Sequence, residues 1–230
     1  MLQSRRAFLD TGYYDPMAVA AIAALTDVVA SNSAGGAEPH VADLGCGEGF
    51  FTARIDAALA AAITPRPVVY GVDISRPGIK MAGSRSRQVI WSVASLHRSP
   101  FLPASLTAAV SMFAPIDTAD VRRVLRDDGA LVTVTPGPDH LDALRALIYS
   151  AVKPHPATPA LVAGDTLFAH RSSTRVRYPI ALESPSEIMN LLAMTPYYWH
   201  ISRATRAAIE ELQRLELTVD AYVNVFRPKQ

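Results

Sequence analysis

Cysteine and lysine are the residues that this sequence nearly lacks. Its 230 residues include one cysteine, Cys46, and three lysines against 19 arginines. A single cysteine excludes an internal disulfide framework and a cysteine-rich zinc site within these residues. The formal net charge of +1 argues against a broad basic surface for nucleic acid, but not against a local basic face. Because arginine binds phosphates and stacks on bases, RNA stays open as a partner.

Long hydrophobic runs are absent as well. The most apolar stretch, Met17–Leu25, is much shorter than the ~20 residues that a membrane-spanning helix needs. Polar residues follow Arg5 and Arg6, where a secretory signal would have an apolar core. We therefore expect a cytoplasmic protein.

Apolar residues recur with alternating strand and helix periods through the first 135 residues. The pattern predicts strands at 40–44, 68–72, 89–93, 106–112 and 130–135, helices at 16–30, 50–62, 77–82 and 117–126, a loop at 32–38 and a turn at 127–129. Strands that alternate with helices predict an α/β fold, in which a mostly parallel sheet is covered by helices on both faces.

The last third of the chain departs from this alternation. The sequence predicts helices at 141–152, 186–194 and 204–215, a strand-like segment at 167–182 and a final strand at 219–226. Since no repeat or linker interrupts the chain, we expect one domain over residues 1–230. It would have an N-terminal helical segment at 1–30 and a small inserted cap, which binds the acceptor, at about 141–205.

The most informative segment is the glycine-rich stretch Val41–Gly49. Gly45, Gly47 and Gly49 alternate between a predicted strand and a predicted helix, where they permit a tight turn and close approach to a ligand. The helix start at Phe50 offers free N–H groups to a carboxylate or phosphate. A dinucleotide-binding loop would place its third glycine at Phe50. The acidic-x-Gly-x-Gly-x-Gly spacing instead resembles the first motif of class I methyltransferases that use S-adenosylmethionine (AdoMet).

Carboxylates accompany this loop. Asp73 ends the second predicted strand, 24 residues after Gly49, where a carboxylate can accept both ribose hydroxyl protons of a nucleoside. Asp43 suits a position near the methionine amino group. Asp73 could instead cap the next helix, and Cys46 could be either a nucleophile at a helix start or a small residue that fills the loop.

A second resemblance covers nearly the whole chain. Six segments in the same order resemble the bacterial 23S rRNA (guanine-N1) methyltransferases: Arg5–Tyr14, Val93–Phe101, Ala114–Pro115, Thr135–Leu141, Leu147–Tyr149 and Met194–Trp199. The resemblance implies a Rossmann-like class I methyltransferase with a seven-stranded sheet, AdoMet as methyl donor and guanine N1 of 23S rRNA as acceptor. Members of that family usually carry an N-terminal zinc ribbon, and this sequence starts where the ribbon would end. Truncation, loss of the ribbon and a different function stay open, and we expect no metal in these residues.

The resemblance also implies the residues that contact AdoMet. Tyr14 would pack over the cofactor, His140 would close the methionine end, and Ser95 and Leu96 would border the adenine. The remaining predicted cofactor residues belong to the glycine loop and the ends of neighbouring strands: Asp43, Gly45, Cys46, Gly47, Glu48, Gly49, Phe50, Asp73, Ile74 and Phe113.

The acceptor side is indicated by fewer residues. The segment 113–115 lacks the Asn/Asp-Pro-Pro-aromatic string that is typical of exocyclic-amine methyltransferases, which favours a ring nitrogen or another acceptor. Removal of the guanine N1 proton needs a base or a charge-stabilising group. His97, Asp117 and His140 are the candidates, and the sequence assigns none of them.

Two groups of residues suit RNA. The arginines Arg171, Arg175 and Arg177 share strand parity, so they could form a phosphate-binding stripe, extended by Arg203 and Arg206, or a solvated strand face. The aromatic run Tyr197, Tyr198, Trp199 and His200 could stack on unpaired bases or pack the cap onto the sheet.

Other functions stay open at this point. A small-molecule methyltransferase would suit the low net charge, and a non-catalytic AdoMet-binding protein would suit the missing Asn-Pro-Pro string. A homodimer is compatible with the sequence, as are roles in ribosome maturation and in antibiotic resistance.

Overall fold

The structure, a computed structural model, describes residues 1–32, 36–149, 165–199 and 201–229. The helices in these ranges are α1 Leu2–Leu9, α2 Asp15–Asn32, α3 Phe50–Ala62, α4 Arg76–Ala82, α5 Thr118–Val124, α6 Asp142–Ile148, α7 Pro185–Met194, the 3₁₀ helix η1 Pro196–Trp199 and α8 Arg203–Glu210. The strands are β1 His40–Leu44, β2 Val68–Asp73, β3 Ile90–Val93, β4 Leu106–Met112, β5 Leu125–Pro136, β6 Phe168–Leu182 and β7 Leu215–Pro228.

The seven strands form one sheet in the order β3-β2-β1-β4-β5-β7-β6. Strand β1 is parallel to β2 and β4, β2 is parallel to β3, and β4 is parallel to β5. The strand order therefore reverses between β1 and β4, and open α/β sheets bind ligands beyond the carboxyl ends of the strands at this point. The predicted mostly parallel, seven-stranded α/β sheet is confirmed.

The central strands are apolar because both of their faces are covered. All seven residues of β4 are buried, as expected for an interior strand of a parallel sheet. Leu44, Leu106 and Leu131 from β1, β4 and β5 pack together with Phe168 and Phe226 in one hydrophobic cluster. Burial of side chains of this size contributes about 1.5–3 kcal/mol each.

Several predicted boundaries are confirmed. Strands β1 and β4 and helix α3 have the predicted limits. Ser75 caps α4 by accepting a hydrogen bond from the Gly78 N–H, and Asp117 caps α5 by accepting from the N–H groups of Ala119 and Asp120. Within the predicted N-terminal helical segment, α1 and α2 are separated by a turn in which Gly12 has a φ of +85°.

Other predicted boundaries are wrong. Residues 127–129, predicted as a turn, lie inside β5, where Leu106 pairs with Leu125 and Ala108 pairs with Ala130. Between these two pairs, β5 advances by five residues and β4 by two, so the extra residues of β5 form a bulge. Helix α5 ends before this bulge. The predicted helix 204–215 ends at Glu210. Residue 215 already belongs to β7, which extends to Pro228 and buries most of its residues from Leu217 onward.

Parts of two predicted elements lie outside the described residues. These are residues 33–35 of the predicted loop 32–38 and residues 150–152 of the predicted helix 141–152. No helix in the described ranges is both long enough and apolar enough to cross a membrane.

The chain divides into two compact units. Unit one contains the described residues of Met1–Met17, Pro136–Ala157 and Arg175–Ala221, and unit two contains those of Ala18–Thr135, Thr158–Thr174 and Tyr222–Gln230. In unit one, α1 packs against α7 and buries Phe8, Leu9, Ile188 and Leu191. Unit two holds the parallel strands β1 to β4, the glycine loop and the hydrophobic cluster described above.

Candidate cofactor-binding site

The glycine loop connects β1 to α3 in unit two. Gly45, Gly47 and Gly49 have φ values of +85°, +58° and +84°, which residues that carry a side chain rarely adopt. The N–H groups of Gly45 and Cys46 both donate to the Val72 carbonyl, at 2.8 and 3.1 Å. These bonds fix the loop to the end of β2. The positive φ values explain why glycine alternates through this segment.

Glycine is also required at position 45 because the backbone there lies close to the loop after β4. A Cβ atom at residue 45 would lie 2.4 Å from the Ala114 Cβ and 3.6 Å from the Leu96 Cδ1. The structure therefore brings the glycine loop, the predicted adenine-bordering Leu96 and the loop after β4 into direct contact.

Asp73 stands at the end of β2 with both carboxylate oxygens oriented. The Gly47 N–H donates to Oδ2 and the Ser75 N–H to Oδ1, each at 2.8 Å. A carboxylate has about four lone-pair sites, so hydroxyl donors can still bind the same oxygens. Because Ser75 is the cap of α4, the alternative that Asp73 caps this helix is excluded. The next residue, Ile74, is 75% exposed and offers an apolar surface beside the carboxylate.

Two further predicted acids are buried and bonded within the protein. Asp43 accepts a 2.6 Å hydrogen bond from the Thr52 hydroxyl of α3. Glu48 is fully buried and accepts from Arg85 Nε at 2.7 Å, forming an ion pair. Both carboxylates therefore stabilise the glycine loop through bonds inside the protein, a role that the sequence does not indicate for Glu48.

Cys46 and Phe50 are buried beside the loop. A Cβ atom on Gly71 would come within 3.2 Å of the Cys46 Sγ, so the thiol packs against β2. The Phe50 ring lies under the Arg54 guanidinium, 4.2 Å from its centroid. This packing supports the interpretation of Cys46 as a residue that fills the loop.

The connection from β3 to β4, residues 94–105, contains no helix and is fixed by a polar network that the sequence analysis did not identify. Asp120 of α5 accepts hydrogen bonds from both the backbone N–H and the hydroxyl of Ser99. Its other oxygen accepts from Arg123, whose guanidinium also donates to the Phe101 and Ser99 carbonyls. Burial raises the pKa of Asp120, but these hydrogen bonds outweigh burial and bring the pKa below its ordinary value. The only local signal was the i, i+3 spacing of Asp120 and Arg123.

Ser95, Leu96 and Phe113 lie on loops at the carboxyl ends of β3 and β4. The Ser95 hydroxyl accepts from the His97 N–H at 3.2 Å. Phe113 has a φ of +58°, a strained value for a bulky residue, directly after β4. Such strain collects at functional sites.

His97 and Asp117, two of the predicted bases, are in contact. His97 Nδ1 lies 3.3 Å from Asp117 Oδ2, and the histidine side chain is 87% exposed. The N–H of Asp120 and the His97 side chain hold the pKa of Asp117 below its ordinary value. Asp117 therefore remains ionised and can orient the imidazole.

The third predicted base, His140, lies in unit one with Tyr14. The Asp220 N–H donates to His140 Nδ1 at 3.3 Å, and a backbone N–H can only donate. The neutral imidazole therefore carries its proton on Nε2, which lies 3.5 Å from the Tyr14 hydroxyl. Burial raises the pKa of Tyr14, so this phenol stays protonated. With Nδ1 already bonded, His140 is poorly arranged to accept a proton from a substrate.

An ion-pair network holds the loop after β5 in unit one. Arg175 donates two hydrogen bonds to the fully buried carboxylate of Asp220, at 2.8 and 2.9 Å, and Asp220 also accepts from the Asp139 N–H. Arg177 Nε lies 3.0 Å from the Asp139 carboxylate. Arg175 and Arg177 are thus paired with carboxylates, and Arg171 is an exposed residue of the same strand, β6. The phosphate-binding stripe that strand parity suggests for these three arginines stays a prediction.

The aromatic run lies on η1 in unit one. Tyr197 packs edge-on against Tyr149, Tyr198 lies under the Arg206 guanidinium, and Trp199 is 68% exposed. His200 lies outside the described residues.

Comparison with known proteins gives the same assignment along the sequence. A profile described as a methyltransferase domain matches residues 41–129. A Bacillus subtilis protein, YxjB, provisionally named a 23S rRNA (guanine-N1)-methyltransferase, is 30% identical over 216 residues, covering 92% of this chain and 73% of its own. The Streptomyces fradiae 23S rRNA (guanine(748)-N1)-methyltransferase is 28% identical, covering 99% of this chain and 79% of its own.

The solved structure of the YcgJ protein from Bacillus subtilis superposes with a TM-score of 0.56 at 16% identity, covering 91% of this chain and 98% of YcgJ. At such identity the likeness concerns the fold alone. The glycine loop, the acidic end of β2 and the sheet order agree with the sequence relationship over almost the full length. The chain therefore belongs to the 23S rRNA (guanine-N1) methyltransferase family and has the Rossmann-like class I methyltransferase fold.

Proposed function

We propose that this protein binds AdoMet at the glycine loop and Asp73 and transfers its methyl group to N1 of a guanine in 23S rRNA. The observation that carries the proposal is the similarity, over at least 92% of the chain, to relatives named for this reaction. A ribosomal RNA substrate is consistent with a cytoplasmic protein.

The residues of unit two fit AdoMet. The Asp73 oxygens are oriented by backbone N–H groups and retain acceptor sites for the two ribose hydroxyls. The exposed Ile74 side chain, with Ser95 and Leu96, suits the apolar faces of the adenine. Helix α3 begins at Phe50 with no side-chain cap, so its first N–H groups suit the methionine carboxylate. The proposal that Tyr14 and His140 also contact AdoMet rests on the resemblance to the family alone.

The reaction is a displacement at carbon. When bound, AdoMet supplies an electrophilic methyl group. The protein's task is to hold guanine N1 about 3–3.5 Å from that carbon and in line with the leaving sulfur, because correct positioning supplies much of the rate acceleration. The strained Phe113 and the contact between Ala114 and Gly45 place the loop after β4 beside the glycine loop, where an acceptor base would be positioned.

We assign RNA recognition to exposed side chains within the part of residues 141–205 that the structure describes. Trp199 is exposed, and the Arg206 guanidinium covers one face of the Tyr198 ring. Such an arrangement suits stacking of unpaired bases. Arg171 is exposed and suits a phosphate contact. The paired Arg175 and Arg177 are weaker candidates for phosphate because Asp139 and Asp220 neutralise them.

Methyl transfer to protein-free 23S rRNA tests the proposal. We expect label from tritiated AdoMet to enter the RNA and a primer-extension stop to appear at one guanine, since N1 methylation blocks base pairing. Label in small molecules only would favour a small-molecule enzyme. A protein that is stabilised thermally by AdoMet but methylates no acceptor would be a non-catalytic binder.

A further inference from the structure

The three candidate bases that the sequence left unassigned are distinguished by their hydrogen bonds. His140 has its Nδ1 bonded to a backbone N–H, so its remaining ring nitrogen carries the proton. Asp117 accepts from two backbone N–H groups and from His97, and its pKa is lowered, so it is a weak base. His97 is left with an exposed imidazole whose Nδ1 side is bound to Asp117.

The contact with Asp117 decides which nitrogen of His97 is basic. A carboxylate can only accept, so it favours the tautomer with the proton on Nδ1. The lone pair then lies on Nε2, which points away from Asp117. A histidine oriented by a carboxylate in this way is a common arrangement for a general base.

The fold places this pair at the edge of the sheet where we propose that AdoMet binds. His97 follows the carboxyl end of β3, and Asp117 follows the carboxyl end of β4, the edge at which such sheets bind ligands. Leu96, the residue before His97, lies near the glycine loop, since its Cδ1 would be 3.6 Å from a Cβ atom added at Gly45. The Asp120–Ser99–Arg123 network fixes the same loop two residues after His97, so the imidazole is carried on an anchored segment.

We propose that His97 is the general base that removes the guanine N1 proton, with Asp117 as the residue that positions it. The inference rests on the proposed function. In this step the N1–H bond breaks and the proton moves to His97 Nε2. The N1 lone pair forms the bond to the methyl carbon, and the carbon–sulfur bond breaks with its electrons passing to sulfur, which becomes a neutral thioether. His97 then returns the proton to solvent.

The test compares His97→Gln and Asp117→Asn with the wild type in single-turnover methyl transfer to 23S rRNA between pH 5.5 and pH 9. We expect His97→Gln to lower the rate at pH 7 by about 10²–10⁴-fold while AdoMet affinity stays unchanged. Its deficit should shrink at alkaline pH, where solvent removes the N1 proton. Asp117→Asn keeps an equally good helix cap, so the fold should hold, and we expect a smaller fall in rate together with a shifted pH profile.

His40→Gln is the matched control, because His40 begins β1 at the edge of the sheet opposite to the carboxyl ends of the parallel strands, and we expect wild-type rates from it. A His97→Gln enzyme with the wild-type rate and pH profile would overturn the assignment. A loss of AdoMet affinity as large as the loss of rate would overturn it too, because it would indicate a structural role for His97. A wild-type protein that binds AdoMet but methylates no 23S rRNA would instead overturn the proposed function, so the two failures are distinguishable.

Discussion

At the scale of single residues, we expect AdoMet binding to depend most on Asp73. We expect Asp73→Ala to weaken AdoMet binding by roughly ten- to a hundred-fold, because a charged hydrogen-bond acceptor is lost and the Gly47 N–H loses its partner. Isothermal titration calorimetry measures the effect. Asp127→Ala, at an exposed aspartate paired with Arg122, is the control and should bind as the wild type does. Unchanged affinity in Asp73→Ala would remove the ribose role.

Gly45 tests the glycine loop itself. Gly45→Ala should destabilise the protein because it combines an unfavourable positive φ with a Cβ atom 2.4 Å from Ala114. Gly36→Ala is the matched control, since it has a φ of +74° and no atom within 4 Å of the added Cβ. Urea unfolding should give a loss of about 1–2 kcal/mol for Gly36→Ala and about 1–3 kcal/mol more for Gly45→Ala. Equal losses would show that the contact with Ala114 is unimportant.

At the scale of elements, the loop between β5 and α6 is held by one buried carboxylate. The main chain of Asp220 bonds to Gly137 and to His140, and its side chain accepts from Asp139 and Arg175. We expect Asp220→Asn to lower stability by about 1–3 kcal/mol, because one of the two charge-assisted bonds from Arg175 then meets an amide donor. It should also speed hydrogen exchange at residues 137–140.

Asp128→Asn is the control for this change, because Asp128 pairs with Arg126 at an exposed position and should cost little. Wild-type exchange rates at residues 137–140 in Asp220→Asn would show that the main-chain bonds alone hold the loop.

At the scale of the whole molecule, one buried carboxylate in each unit links stability to pH. Burial raises the pKa values of Asp120 in unit two and Asp220 in unit one, but the hydrogen bonds from Ser99 and Arg123 and from Arg175 and Asp139 outweigh it. Both groups therefore titrate below the ordinary aspartate value of about 3.9 when folded. A depressed folded pKa contributes stability that is present above the unfolded pKa and is lost as the pH falls through the folded pKa.

The expected result is a constant contribution to the free energy of unfolding at neutral pH and a progressive loss below about pH 4. Urea unfolding from pH 7 to pH 3 measures it, and Asp220→Asn should give a shallower decline than the wild type. A parallel decline in the two proteins would show that Asp220 does not contribute.

The cofactor side of the protein was predictable because its determinants are local. Gly45, Gly47 and Gly49 are required because alternate residues of the loop adopt positive φ, and the acid at the end of β2 follows at a spacing set by one helix and one strand. Periodicity located β1, β4 and α3 because each is long enough to express its own period. It failed at residues 127–129, where pairing with β4 turns an apparent turn into a bulge.

The amino-acid sequence by itself determined the class of fold, the cofactor loop and the family, because these depend on short-range backbone requirements and on residues in a fixed order. Only the tertiary structure decided the partners of the charged and titratable groups. Asp220 meets Arg175 and the loop at Asp139 across 45 and 81 residues, and His97 meets Asp117 across 20. Such contacts are set by strand order and loop course, which bring distant residues together, and they are the basis on which we propose His97 rather than His140 or Asp117 as the base.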